Sequence, residues 1–196
     1  MRVEFRMRPE GGTLATVDRP DGVQLLLTSY DRTGTVPHDL AHFVTERALR
    51  MEGGLWGSIA AGAEFGSLTV LAGRRRHDAA TRSAAVRRAN AADLGLAEVL
   101  VGAVLHGVAS GDAAGHVARA WASVREGPCP FPPELCDAAA DELRRLAAEL
   151  AAKGSTTLQW PGSGGRADGR PEAGSGRGRG ARRGNAGGRA GRRRSR

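Results

Sequence analysis

Four side chains able to hold a proton or a metal fall within one short stretch: His38, Asp39, His42 and Glu46. In a helix, residues four apart stand one turn above the other, with Cβ atoms roughly 5–6 Å apart. The imidazoles of His38 and His42 can then share one ion, and Glu46 can join His42 one turn further on. These residue types suit a divalent metal such as zinc, with Asp39 as a ligand or as an orienting neighbour. Glu52 and Glu64 are further candidates to complete the shell. No catalytic acid, base or nucleophile is identified, so the reaction stays open. The competing reading is a polar helix face, solvated or hydrogen-bonded, in which Asp39 only meets the unpaired amides of a first turn. A zinc-peptidase reading is excluded, because that pattern needs Glu directly after the first His as general base and Asp39 stands there.

The helix that would carry these residues is expected over 37–51. Pro37 suits a first turn, where its missing N–H is not needed. Leu40, Phe43, Val44, Ala48 and Met51 then share one side, and His38, His42, Glu46 and Leu49 the other. Gly53 and Gly54 are expected to stop it. Upstream, Val3, Phe5 and Met7 alternate with charged residues, the period of a strand with one buried face. Turns at Pro9–Gly12 and Pro20–Gly22 separate it from strands over 14–19 and 23–30, an antiparallel meander. Residues 31–35 form the loop that leads from the sheet to the histidines.

Downstream, residues 55–65 read as a helix whose small residues allow close packing, and 67–72 as a short strand or an extended link. Arg74, Arg75, Arg76, His77 and Asp78 form a charged loop, read as a solvated turn that could also meet an anion. Helices follow over 79–92, 94–108, 112–126 and 134–153, the last with Leu135, Ala139, Leu143, Leu146 and Leu150 on one side. His106 and His116 lie on two of these and could approach the His38/His42 face. Residues 156–160 alternate and are expected to add to the N-terminal sheet. The fold class is therefore α+β: three N-terminal strands plus a C-terminal strand, packed on four to six helices.

Of the 196 residues, 40% are hydrophobic and the formal net charge is +8. That charge is unevenly spread. Residues 161–196 hold eleven Arg and twelve Gly against Asp168 and Glu172, so residues 1–160 are close to neutral. The first 160 residues read as one domain and the rest as a disordered Arg/Gly-rich basic tail, which has too little apolar surface to offset the entropy of ordering. Arg177, Arg179, Arg182, Arg183, Arg192, Arg193 and Arg194 could bind nucleic acid or another polyanion by neutralising phosphates without sequence preference. Compositional drift or a solubilising role is the other reading of that tail. Cys129 and Cys136 make neither a disulfide framework nor a four-thiolate zinc site. No secretory signal and no uninterrupted apolar span are seen, so a cytoplasmic location is expected.

The run Val-Pro-His-Asp-Leu-Ala-His-Phe-Val-Thr-Glu at 36–46, followed by Gly-Gly-Leu-Trp-Gly-Ser-Ile-Ala-Ala-Gly-Ala-Glu-Phe at 53–65, resembles a group of small bacterial proteins of unknown function. Residues 157–161 resemble their C-terminal end. His38, Asp39 and His42 also resemble the HDxxH signature of ubiquinone-biosynthesis scaffold proteins. That resemblance implies a metal-dependent site that includes a later Glu, expected near Gly54, where Glu52 is the nearest carboxylate. Three functions remain in view: a divalent-metal site on the 37–51 helix, a non-enzymatic interaction protein whose tail binds nucleic acid, and a lipid-handling scaffold.

Overall fold

The computed structural model describes residues 1–29 and 36–162. The 31–35 loop and the tail, with its seven candidate nucleic-acid arginines, lie outside the described residues. The N-terminal alternation forms three strands: β1 (Arg2–Met7), β2 (Thr13–Asp18) and β3 (Gln24–Thr28). They pair antiparallel, with Phe5 opposite Ala15 and Val17 opposite Leu25. Two later strands extend the sheet at its edges, β4 (Leu68–Ala72) beside β3 and β5 (Ser155–Gln159) beside β1. The order is β4-β3-β2-β1-β5. β5 joins the N-terminal sheet as expected, and its partner there is β1. β4 resolves the 67–72 segment as a fifth strand, defined by hydrogen bonding to the edge of β3, since none of its side chains is fully buried.

Val3, Phe5, Ala15, Val17, Leu25 and Leu27 are buried on one face of the sheet, while the residues between them stay partly exposed. Such a sheet needs a helical layer on its apolar face only. The helices are α1 (His38–Ala48), α2 (Leu55–Ala60), α3 (Ala79–Ala89), α4 (Ala91–Ser110), α5 (Ala113–Val124) and α6 (Pro133–Lys153). α1 anchors on the sheet through Phe43, whose ring meets Phe5, Trp56 and Trp160 edge-on at 5.3–5.7 Å. α2, α4 and α6 pack around it. α4 is long and apolar enough, by length and composition, to cross a membrane; here it packs against α1, α5 and α6 and carries Asp93 and Glu98.

α1 ends earlier than the glycine pair suggests. Its last residue is Ala48, and Arg50, at φ 55°, turns the chain in the left-handed region. Gly53 and Gly54 serve a different purpose, which is close approach. A Cβ on Gly53 would sit 2.2 Å from Asp93 Oδ2, and one on Gly54 2.4 Å from the Glu46 carboxyl carbon. Gly57 is tighter still, with the Glu52 carbonyl oxygen 1.9 Å from the position of a Cβ. The small residues of this segment thus let α2 lie directly against the turn that leaves α1.

Candidate metal centre

Helix periodicity places His42 and Glu46 one above the other, and the α1–α2 turn closes over them. His42 is 2% exposed and Glu46 is fully buried. His42 Nδ1 donates to Glu46 Oε1 at 2.9 Å, and the same oxygen accepts from the Leu55 amide at 2.9 Å. Glu46 Oε2 accepts from the Trp56 amide at 2.9 Å. A carboxylate with no water contact is thereby satisfied by one imidazole and by two amides at the start of α2, which would otherwise be orphaned. Glu46 is fully committed to these bonds and faces the inner nitrogen of His42.

The outer nitrogen of His42 faces a different set. Glu98, from α4, places Oε2 3.4 Å from His42 Nε2 and 4.0 Å from His38 Nε2. The two imidazole rings lie 4.7 Å apart. His38, His42 and Glu98 each offer one ligand atom, all within 4.8 Å of one another, and this group could hold a metal ion. Tetrahedral zinc at 2.0–2.1 Å from each ligand requires ligand atoms about 3.4 Å apart, so the widest pair needs to close in by about 1.4 Å. Two His and one carboxylate are a common open zinc set, with the fourth position left to water. Exposure of the rim allows that water, since the His38 side chain is 42% exposed and that of Glu98 65%.

The electrostatics follow from the same contacts. Burial alone would strip His42 of its proton, but hydrogen bonds to Glu46 and Glu98, together with their charges, outweigh it and raise the pKa from 6.5 to about 9. Glu98 is held below the ordinary carboxylate range chiefly by its bond to His42, which outweighs the opposing effect of burial, and the charges of His42 and His38 add to the lowering. Two carboxylates therefore concentrate on one imidazole, where a cation of either kind is favoured.

The four residues singled out by the sequence thus divide. His38 and His42 converge; Glu46 sits behind His42 rather than beside the shared space. Asp39 lies in the first turn of α1 and is not part of the three-ligand group; its carbonyl oxygen accepts from the Trp56 indole at 3.0 Å. Glu52 is exposed in the α1–α2 turn, and Glu64 is paired with Arg75. His106 and His116 face each other, with ring centres 5.7 Å apart, and not the His38/His42 group. Glu98 was missed by the sequence reading: it is the one acidic residue in an otherwise apolar run from Leu94 to Leu105, which was a legible oddity without an assignable partner. A mostly apolar cavity of about 340 Å³ opens between Leu49, Met51, Leu96, Trp121 and Phe131, with Arg50, Glu52 and Asp93 also in its lining, and His42 is not among the residues that line it.

No family model, curated protein or solved structure matches this chain.

Proposed function

We propose that the chain is a divalent-metal-binding protein of the zinc class, with His38, His42 and Glu98 as ligands and Glu46 as the group that orients His42. The single observation that carries this reading is the convergence of three ligand atoms, from two helices, on the solvent-facing side of a histidine whose other nitrogen is tied down. A carboxylate on the far nitrogen fixes the tautomer and the ring direction and raises ligand basicity, which is the usual support of a metal-bound His. A zinc-class ion bound there would supply Lewis acidity and an acidified water. The residues do the rest: Glu46 holds the imidazole, Glu98 and His38 close the shell, and the exposed rim leaves the fourth position open to water.

The HDxxH resemblance supports the same reading. Under it, the role of the later carboxylate falls to Glu98 on α4 rather than to Glu52. Asp39 then serves the first turn of α1.

The test is metal content and zinc titration of the full chain and of its His38→Ala, His42→Ala and Glu98→Ala variants. The tail contains neither His nor Cys, so it does not compete for zinc. One equivalent in the parent and at least tenfold weaker uptake in each variant is expected. Equal, sub-stoichiometric metal in all four proteins would remove the proposal.

A further inference from the structure

The buried alternation of β2 runs one step past the end of the strand. Thr13, Ala15 and Val17 point inward, and the next inward residue is Arg19, whose side chain is only 4% exposed. A guanidinium is rarely placed on an apolar face without full partnering, because desolvating a charge is expensive. Arg19 is only partly matched. Its Nε donates to Asp21 Oδ1 at 2.8 Å and its Nη2 to Asp21 Oδ2 at 2.6 Å, a bidentate fork. Its Nη1 is buried and has no partner.

Arg19 lines a cavity of about 110 Å³ together with Asp21, Gly62, Arg76, Ala79 and Arg82. Three guanidinium groups therefore meet one carboxylate there, and that carboxylate is already bound by Arg19. Arg76 uses Nε on Asp78 at 3.1 Å. Arg82 packs by the turn at Gly62, whose φ of 104° ends α2, with Nη2 4.0 Å from where a Cβ would stand. The first turn of α3 also borders the cavity at Ala79, and Asp78, its N-cap, makes no side-chain cap bond. Positive potential from the arginines and from the N-terminus of α3 thus meets in one partly enclosed space, where the full charges outweigh the carbonyl end of the short α2 at Ala60 and Ala61. A water occupies roughly 30 Å³, so the cavity has room for a small tetrahedral ion and not for a nucleotide.

We propose that this cavity binds a phosphate dianion, either inorganic phosphate or the head group of a phosphate monoester whose remainder projects through the mouth. The ion would accept from Arg76 and Arg82 at the rim and lie against the Arg19 guanidinium, whose unpartnered Nη1, closed off from solvent, it would reach after a small turn of that side chain. The site is built from residues other than the metal ligands and borders the C-terminal end of α2, whereas Glu46 binds the amides at the opposite end.

The experiment is a ¹H–¹⁵N NMR titration of the full chain at fixed ionic strength, with inorganic phosphate in one arm and glycerol 3-phosphate in the other. Saturable shifts of the Gly62, Ala79 and Arg82 amides and of the Arg19 Nε–H are expected with at least one probe, and the tighter of the two names the source. Because Arg19 is buried, the Arg76→Ala/Arg82→Ala double variant is the decisive one: both positions are exposed, so the fold is retained. It is expected to bind at least tenfold more weakly, about the loss expected for one charge-assisted hydrogen bond. Arg19→Lys, which keeps the charge and loses the fork, is expected to weaken binding as well. Zinc uptake by the double variant stays unchanged, which separates this test from that of the metal centre. Shifts confined to residues 166–196, no saturation, or parental affinity in the double variant would overturn the proposal.

Discussion

His42 has two sides, and they are built in opposite ways. Behind it, Glu46 is fully buried and gives its oxygens to an imidazole and two amides. In front of it, Glu98 is mostly exposed, 3.4 Å away, and shared with His38. Both carboxylates face the same ring, yet only the rear one is locked by packing. The rear group is part of the fold, because removing it leaves buried donors unpaired. The front group is replaceable in the fold and available for exchange, which is what a ligand shell that opens to solvent needs.

The sharpest way to break this contrast is Glu46→Ala. It strands His42 Nδ1 and the amides of Leu55 and Trp56 in a dry interior, and a loss of about 3–5 kcal/mol is expected in urea unfolding. A loss under about 1 kcal/mol would show that the rear side is not structural. Gly54→Ala attacks the same contact from the other direction, by pushing a methyl into the Glu46 carboxylate. Overpacking of this kind costs about 1–3 kcal/mol, and a crystal structure of the variant should show Glu46 displaced from the Trp56 amide.

The pH dependence of the metal-free protein tests both sides together. His42 has a folded pKa of about 9 against 6.5, so its imidazolium stabilises the fold fully below about pH 6.5 and that contribution is lost as pH rises through about 9. A ring ¹⁵N titration of chelator-treated protein should place the midpoint well above 6.5, and lower in Glu98→Gln than in the parent. A parental midpoint at or below 6.5 would mean that the two carboxylates do not hold the ring as described. The smallest stability effect belongs to Glu98→Gln itself, expected within about 0.5 kcal/mol of the parent because the side chain is largely in water. Its zinc affinity should nonetheless fall at least tenfold. A large stability loss with unchanged zinc binding would reverse the roles assigned to the two carboxylates.

Much of this architecture was legible in the chain. The strand alternation, the existence of β5 and the six helices of the described residues follow from periods of two and 3.6 residues, which are local properties. The His38/His42 stacking is equally local, since one helical turn dictates it. Local rules went astray where tertiary contact intervened. Gly53 and Gly54 read as a helix stop, while α1 ends at Ala48 and the glycines make room for Asp93 and Glu46. Residues 67–72 were ambiguous because strand identity came from the neighbour β3 and not from alternation. Arg19 looked like the end of a strand, and only its inward register shows it to be a buried cation.

By itself, the order of residues determined a helix with two imidazoles on one face and a carboxylate one turn beyond. Whether that carboxylate is a ligand or a support was decided by where the start of α2 came to rest, because amide groups brought to a buried acid claim its lone pairs. Which acid stands in front was decided by the packing of α4 on α1, a contact between distant parts of the chain. Spacing along a helix sets which side chains can meet within it, and burial and long-range docking set what each of them is left free to do.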